Sequence, residues 1–190
     1  MTENIADTAF VGPNARVSGS ALVDGSALVD GYAWVSGSAL VDGSALVDGY
    51  ALVDGYARVF GYARVSGDAR VFGSALVFGS ARVSGSARVS GDARVSGDAR
   101  VNGDAVIETP QGCFCAFFPA RSGVYPLTLM RTARNTVRFN WGCRSGDDLR
   151  DYLAHPSYDG LREAPLAFLE AFERANGLWK QVPEGELVAA

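Results

Sequence analysis

From Ala15-Arg16-Val17-Ser18-Gly19-Ser20 to Asp104 the chain repeats one six-residue phrase, Ala-x-Val-x-Gly-x, almost without error. The Val position runs at six-residue intervals from Val11 to Val101, with Ile5 in register before it and Ile107 after it, giving eighteen hexads without an insertion. A helix cannot use this pattern, because a six-residue period drifts around a 3.6-residue turn and scatters the apolar positions over the whole surface. A short strand can: in Ala-x-Val the two flanking residues point to one side and the middle residue to the other. The Gly that follows supplies a corner, since its permissive backbone lets the chain turn after each strand.

Repeats of six residues mark the parallel β-helix. With an aliphatic residue at the first inward position and a small one four further on, as in Val17 then Ala21, the chain resembles the left-handed hexapeptide-repeat family. The resemblance implies a mainly β fold, a left-handed triangular β-helix in which three hexads close one coil and eighteen make about six. Stacked at about 4.8 Å per coil, the rod is roughly 25 Å long. Its interior holds only Val and Ala, so stability is expected from stacking and continuous ladder hydrogen bonds. Each end presents unpaired strand edges that something must cover. Met1 to Thr8 reads as a frayed first coil, and whatever follows Thr109 covers the far end.

After Thr109-Pro110-Gln111-Gly112 the period disappears, so residues 1–108 read as the β-helix and 109–190 as a small α+β domain. Cys113 to Phe118 and Tyr125 to Trp141 read as strands, the second stretch broken by a turn near Ala133-Arg134-Asn135 into a hairpin. Ser145, followed by Gly146-Asp147-Asp148, reads as the N-cap of a short helix through Leu149, Tyr152 and Leu153. A second helix is expected from Glu163 to Asn176, ending at Gly177, with Leu166, Leu169 and Phe172 on its apolar stripe. The tail from Trp179 reads as loosely held.

The formal net charge of -4 gives no overall pull toward nucleic acid. No apolar run approaches the roughly 20 residues of a membrane span, and the N-terminus lacks the basic-then-apolar order of a signal peptide. A bacterial host's cytoplasm is therefore the expected location, and three cysteines with no disulfide framework agree with a reducing compartment. Zinc held by Cys113, Cys115, Cys143 and His155 is chemically conceivable, but Cys-x-Cys in a strand lacks the knuckle spacing of structural zinc pairs. Buried thiols packing as small hydrophobes are the plainer reading, and no metal or other cofactor is implied.

The stretch from Leu127 to Leu153, with Gly142-Cys143, is similar to phage and prophage proteins that carry tandem Gly-x-Ala-x-Val repeats, then a short strand, a Gly-Cys pair and a small helix. Where those relatives commonly place a histidine soon after Gly-Cys, this chain has Arg144-Ser145-Gly146. The resemblance implies a phage-encoded accessory protein, such as a virion part or an anti-CRISPR-type inhibitor of a host defence complex. Hexapeptide-repeat proteins are also known as acyltransferases, whose chemistry depends on a histidine base near a coil interface and often on a loop leaving the coil. The chain's one histidine, His155, lies outside the hexads, and the hexads contain no excursion. The zinc-dependent anhydrase branch of the same family needs three histidines.

The outward letters carry what functional information the repeat holds. They are mostly Leu in the early hexads and mostly Arg from Arg58 onward, with Asp24, Asp30, Asp42, Asp48 and Asp54 making the early half acidic. If residues eighteen apart stack, one face carries Leu22, Leu40, Arg58, Leu76 and Arg94 with Phe60 against Phe78. A second carries Leu28 and Leu46 and then Arg64, Arg82 and Arg100, and a third carries Trp34, Leu52, Arg70, Phe72 and Arg88. Apolar outward clusters of this kind mark interfaces. Leu22, Leu40, Phe60, Tyr62, Phe72, Leu76 and Phe78 are therefore the expected contacts with identical subunits, as a dimer or the trimer that the hexapeptide resemblance implies. Arg64, Arg82 and Arg100 are the candidate contacts to a further macromolecular partner, a protein in preference to nucleic acid because interleaved aspartates are expected to neutralise the arginines. The function that follows is a non-catalytic scaffold or interaction protein, with an acyltransferase-like enzyme as the alternative.

Overall fold

The computed structural model of the chain describes residues 4–120, 123–141, 144–155, 158 and 160–178. Each hexad after the first contributes one two-residue strand, from β1 (Phe10–Val11) to β17 (Val106–Ile107). Every third strand pairs in parallel, so each residue lies on the one eighteen positions later: Leu22 on Leu40, Leu40 on Arg58, Leu76 on Arg94. The first sheet follows the order β3-β6-β9-β12-β15, the second β1-β4-β7-β10-β13-β16 and the third β2-β5-β8-β11-β14-β17. The chain is thus a three-sided parallel β-solenoid of five turns and part of a sixth. The full six coils expected from eighteen hexads are not reached, because Ile5 makes only an isolated bridge to Val23.

The inward positions behave as the alternation requires. From Ala21 to Ile107 the Ala and Val side chains are at most 1% exposed and form one continuous core. Between coils the backbone is stitched by ladder bonds such as Leu22 N–H to the Ala39 carbonyl and Leu40 N–H to the Ala57 carbonyl, both 2.9 Å. The corners require glycine for two separate reasons, which Gly37 shows. Its φ is +67°, and a Cβ there would stand 2.8 Å from the Gly55 nitrogen in the next coil. Several corner aspartates finish the turn locally, as when Asp24 Oδ1 accepts from the Gly25 N–H at 2.7 Å.

Beyond a 3-10 turn at Pro110–Gly112, a four-stranded antiparallel sheet forms from β18 (Cys113–Ala120), β19 (Gly123–Arg131), β20 (Val137–Trp141) and β21 (Arg144–Gly146). Two helices follow, α1 (Leu149–Ala154) and α2 (Glu163–Ala175). Ser145 does not cap α1: it lies in β21, paired with Asn140. The cap passes to Asp148, the residue ahead of the first helical position, whose Oδ1 accepts from the Asp151 N–H at 3.0 Å. The second helix matches the expected span, with Leu169 and Phe172 buried and Gly177 beyond its end at φ +65°. The tail from Trp179 lies outside the described residues.

This sheet closes the far end of the solenoid. Met130, fully buried on β19, joins the Ala/Val core, with Cys113 and Cys115 packed against the same core. The last coil's open backbone groups find partners here: Arg100 N–H donates to Thr128 Oγ1 at 3.0 Å, and Asn140 Nδ2 donates to the Arg100 carbonyl at 2.6 Å. Arg138 adds ion pairs to Asp104 in the solenoid and Asp147 in the cap. On its other side the sheet meets the helices in a second core built from Leu127, Leu129, Phe139, Leu153, Leu169 and Phe172. Within that layer Phe114 stands edge-on to Phe172, with ring centroids 5.2 Å apart.

Candidate interaction surfaces

Alternation places the residue before each inward Val, and the residue after it, on the outside of the same sheet. The first sheet's outer face therefore carries Leu22, Leu40, Arg58, Leu76 and Arg94, with Phe60 and Phe78 at the strand ends. The two phenylalanines are stacked, 5.1 Å between centroids and 4° between planes. Arg58 lies over the Phe60 ring at 5.5 Å, so its charge is held against the face by a cation–π contact. Leu22 is 39% exposed, and Leu40, Leu76 and both phenylalanines are half-buried. Five of the seven residues expected at an interface thus share one surface. The other two border it: Tyr62, 71% exposed, stands at the corner leading to the second sheet, and Phe72 ends a strand of the third.

A further aromatic column runs elsewhere. Tyr32 and Tyr50, at the corner between the second and third sheets, stack with centroids 5.2 Å apart and are both well exposed. Trp34 on the third face is tied down by its indole N–H, which donates to Ser18 Oγ in the preceding coil at 3.0 Å. The six-residue period locates all of these columns by counting.

The second sheet stacks Arg64 on Arg82 and Arg82 on Arg100 in register, following Leu28 and Leu46. The third stacks Arg70 on Arg88. Like charges on adjacent strands about 4.8 Å apart repel unless something neutralises them. The expectation that the aspartate columns do so within one chain is not met. Among the described residues, no ion pair joins Arg64, Arg70, Arg82 or Arg88 to a carboxylate. The aspartates instead serve the corners: Asp24, Asp42 and Asp48 each accept from the N–H of the glycine that follows.

Among the described residues the cysteines and histidine do not converge. Cys113 and Cys115 face the solenoid core, whereas His155 is exposed at the C-terminal end of α1, on the opposite side of the sheet. Cys143 lies outside the described residues. Burial, reinforced by the neighbouring Cys115, pushes the Cys113 thiol up to about 12, and burial also raises Cys115. Both are therefore neutral thiols at physiological pH and poor nucleophiles. A cleft of about 580 Å³ opens between β20 and the two helices. The carboxylates facing it are already engaged: Asp147 with Arg138, Asp148 as the α1 cap, and Glu173 in a two-bond pair with Arg150, both at 2.7 Å. No helix among the described residues is long and apolar enough to cross a membrane.

Two stretches, residues 63–79 and 93–108, match the YdcK beta solenoid repeat. No curated protein matches the chain. Among solved structures, the acetyltransferase domain of PglB from Neisseria gonorrhoeae FA1090 is similar at 18% identity and a TM-score of 0.42, over 54% of this chain and 52% of that one. The chain thus spans about half the length of that structure. The in-register triangular coils, together with the repeat match inside them, make the chain a β-solenoid repeat protein.

Proposed function

We propose that this protein is a non-catalytic interaction scaffold: a rigid solenoid that self-associates through the outer face of its first sheet and presents its remaining surfaces to a macromolecular partner. The Phe60–Phe78 stack carries this reading. Two parallel rings on adjacent coils, together with Leu22, Leu40 and Leu76 and bordered by Asp24, Asp42 and Arg58, give this face an apolar component that follows the rod from its first coils to its fourth. On the other two sheets the leucines give way to arginine after Leu46 and Leu52. The coil backbone is held between neighbouring coils on both sides, so such a face is preorganised and loses little conformational freedom on association.

Sedimentation velocity tests the reading. The wild-type chain is expected to run as an assembly heavier than its 20.0 kDa protomer. Phe60→Asp combined with Phe78→Asp is expected to lower that mass while leaving the far-ultraviolet dichroism intact, because both rings point away from the core. An unchanged mass in the double variant, or a monomeric wild type, overturns it.

A further inference from the structure

Among the described residues Arg64 and Arg82 of the second sheet pair with no carboxylate, and the same sheet carries acidic residues at its other end. The outward residues at either end of each strand divide it into two halves. On β4 (Leu28–Val29) and β7 (Leu46–Val47) they are Leu28 with Asp30 and Leu46 with Asp48. On β10 (Arg64–Val65) and β13 (Arg82–Val83) they are Arg64 with Ser66 and Arg82 with Ser84. The sheet order β1-β4-β7-β10-β13-β16 puts the boundary between the halves at the middle of the face. One half is apolar and acidic, the other basic.

We propose that the ladder's partner is the same face of a second copy, running antiparallel. This rests on the scaffold reading above and names one of its partners. A two-fold axis lying in the interface, perpendicular to the rod and passing between β7 and β10, brings each half onto its complement. Arg64 meets the second copy's Leu46 and Asp48, and Arg82 meets its Leu28 and Asp30. The half-buried leucines receive the aliphatic stems of the arginines, and the aspartates receive the guanidinium groups. The contact is self-complementary, as a two-fold interface must be.

A parallel two-fold packing of this face on itself keeps coils at equal height and sets the acidic half against another acidic half. Like-charge juxtaposition excludes that geometry. Antiparallel pairing also leaves the two C-terminal caps at opposite ends of the assembly. A polyanion seated on the arginines is the competing occupant. It would use only half of a face whose other half, with Asp30 and Asp48, repels it.

Charge exchange tests the pairing in the Phe60→Asp/Phe78→Asp chain, where the first-sheet face is disabled. That chain is expected to sediment as a dimer. Arg64→Asp with Arg82→Asp is expected to halve the mass, as is Asp30→Arg with Asp48→Arg. All four exchanges together restore the dimer, because each contact then again joins opposite charges from different copies; restoration also shows that the exchanged chains fold. A monomer before any exchange overturns the antiparallel pairing and leaves the scaffold reading standing if the wild type is larger. Failure of the fourfold exchange to restore the dimer overturns it as well. So does a dimer unaffected by the arginine exchanges, whose loss appears instead in binding of a fluorescent single-stranded DNA, which would assign the ladder to a polyanion.

Discussion

Replacing a corner glycine by alanine should cost very different amounts at Gly37 and Gly97, although the two sit in nearly the same words, Val-Ser-Gly-Ser and Val-Ser-Gly-Asp. Both have left-handed backbone, φ +67° and +62°. Alanine in that region costs about 1–2 kcal/mol, offset by about 0.4–1 kcal/mol from the stiffer unfolded chain. At Gly97 nothing lies within 4 Å of the added Cβ, so the net cost stays about 1 kcal/mol. At Gly37 the same Cβ stands 2.8 Å from both the Gly55 nitrogen and Asp54 Oδ1, and 3.0 Å from the Gly55 carbonyl. Two of those atoms are backbone, and Asp54 is held by Ser36 Oγ at 2.9 Å, so none can withdraw freely. Forcing coils apart adds an overpacking cost of about 1–3 kcal/mol. Urea unfolding followed by far-ultraviolet dichroism on both variants reads the difference, which should favour Gly97→Ala by that amount. Equal destabilisation within about 0.5 kcal/mol would refute the claim that coil stacking, and not turn conformation alone, selects glycine at these corners.

Removing the Thr128 hydroxyl with Thr128→Val leaves the Arg100 N–H without its acceptor beneath the cap and should cost about 1–3 kcal/mol in thermal unfolding, while Thr128→Ser keeps most of it. Truncating the fully buried Met130 to alanine should cost about 2–5 kcal/mol, since it plugs the end of the core. Asp148→Ala should lose about 1 kcal/mol of α1 capping, whereas Ser145→Ala should stay within about 0.5 kcal/mol. Cys113 is neutral when folded up to about 12 but ionises near 9 when released, so its contribution to stability is complete below pH 9 and is lost as pH rises toward 12. At pH 8 a thiol reagent should label the partly buried Cys113 far more slowly than it labels the unfolded chain, and labelling at the unfolded-chain rate would contradict its place against the core.

The sequence by itself determined the solenoid and its columns. A strict period of six lets each residue's neighbours be found by counting eighteen, which sets Phe60 against Phe78 and puts Tyr32 and Tyr50 in one column. Inward and outward letters followed from strand alternation, and the corners from glycine. The tertiary structure decided whatever the period does not reach. Ser145 had the chemistry of a helix cap, but pairing of β21 with β20 claimed its backbone and passed the cap to Asp148. The plug at Met130, and the partners that Thr128 and Asn140 give Arg100, join residues 28 and 40 positions apart with no repeat to announce them. Even inside the repeat, composition suggested that arginines and aspartates cancel, while the fold turned Asp24, Asp42 and Asp48 onto their own corner amides. Periodic contacts are local facts repeated, and a chain can state them in its spelling. End caps and the pairing of charges are settled by where each side chain finds its nearest donor or acceptor in three dimensions.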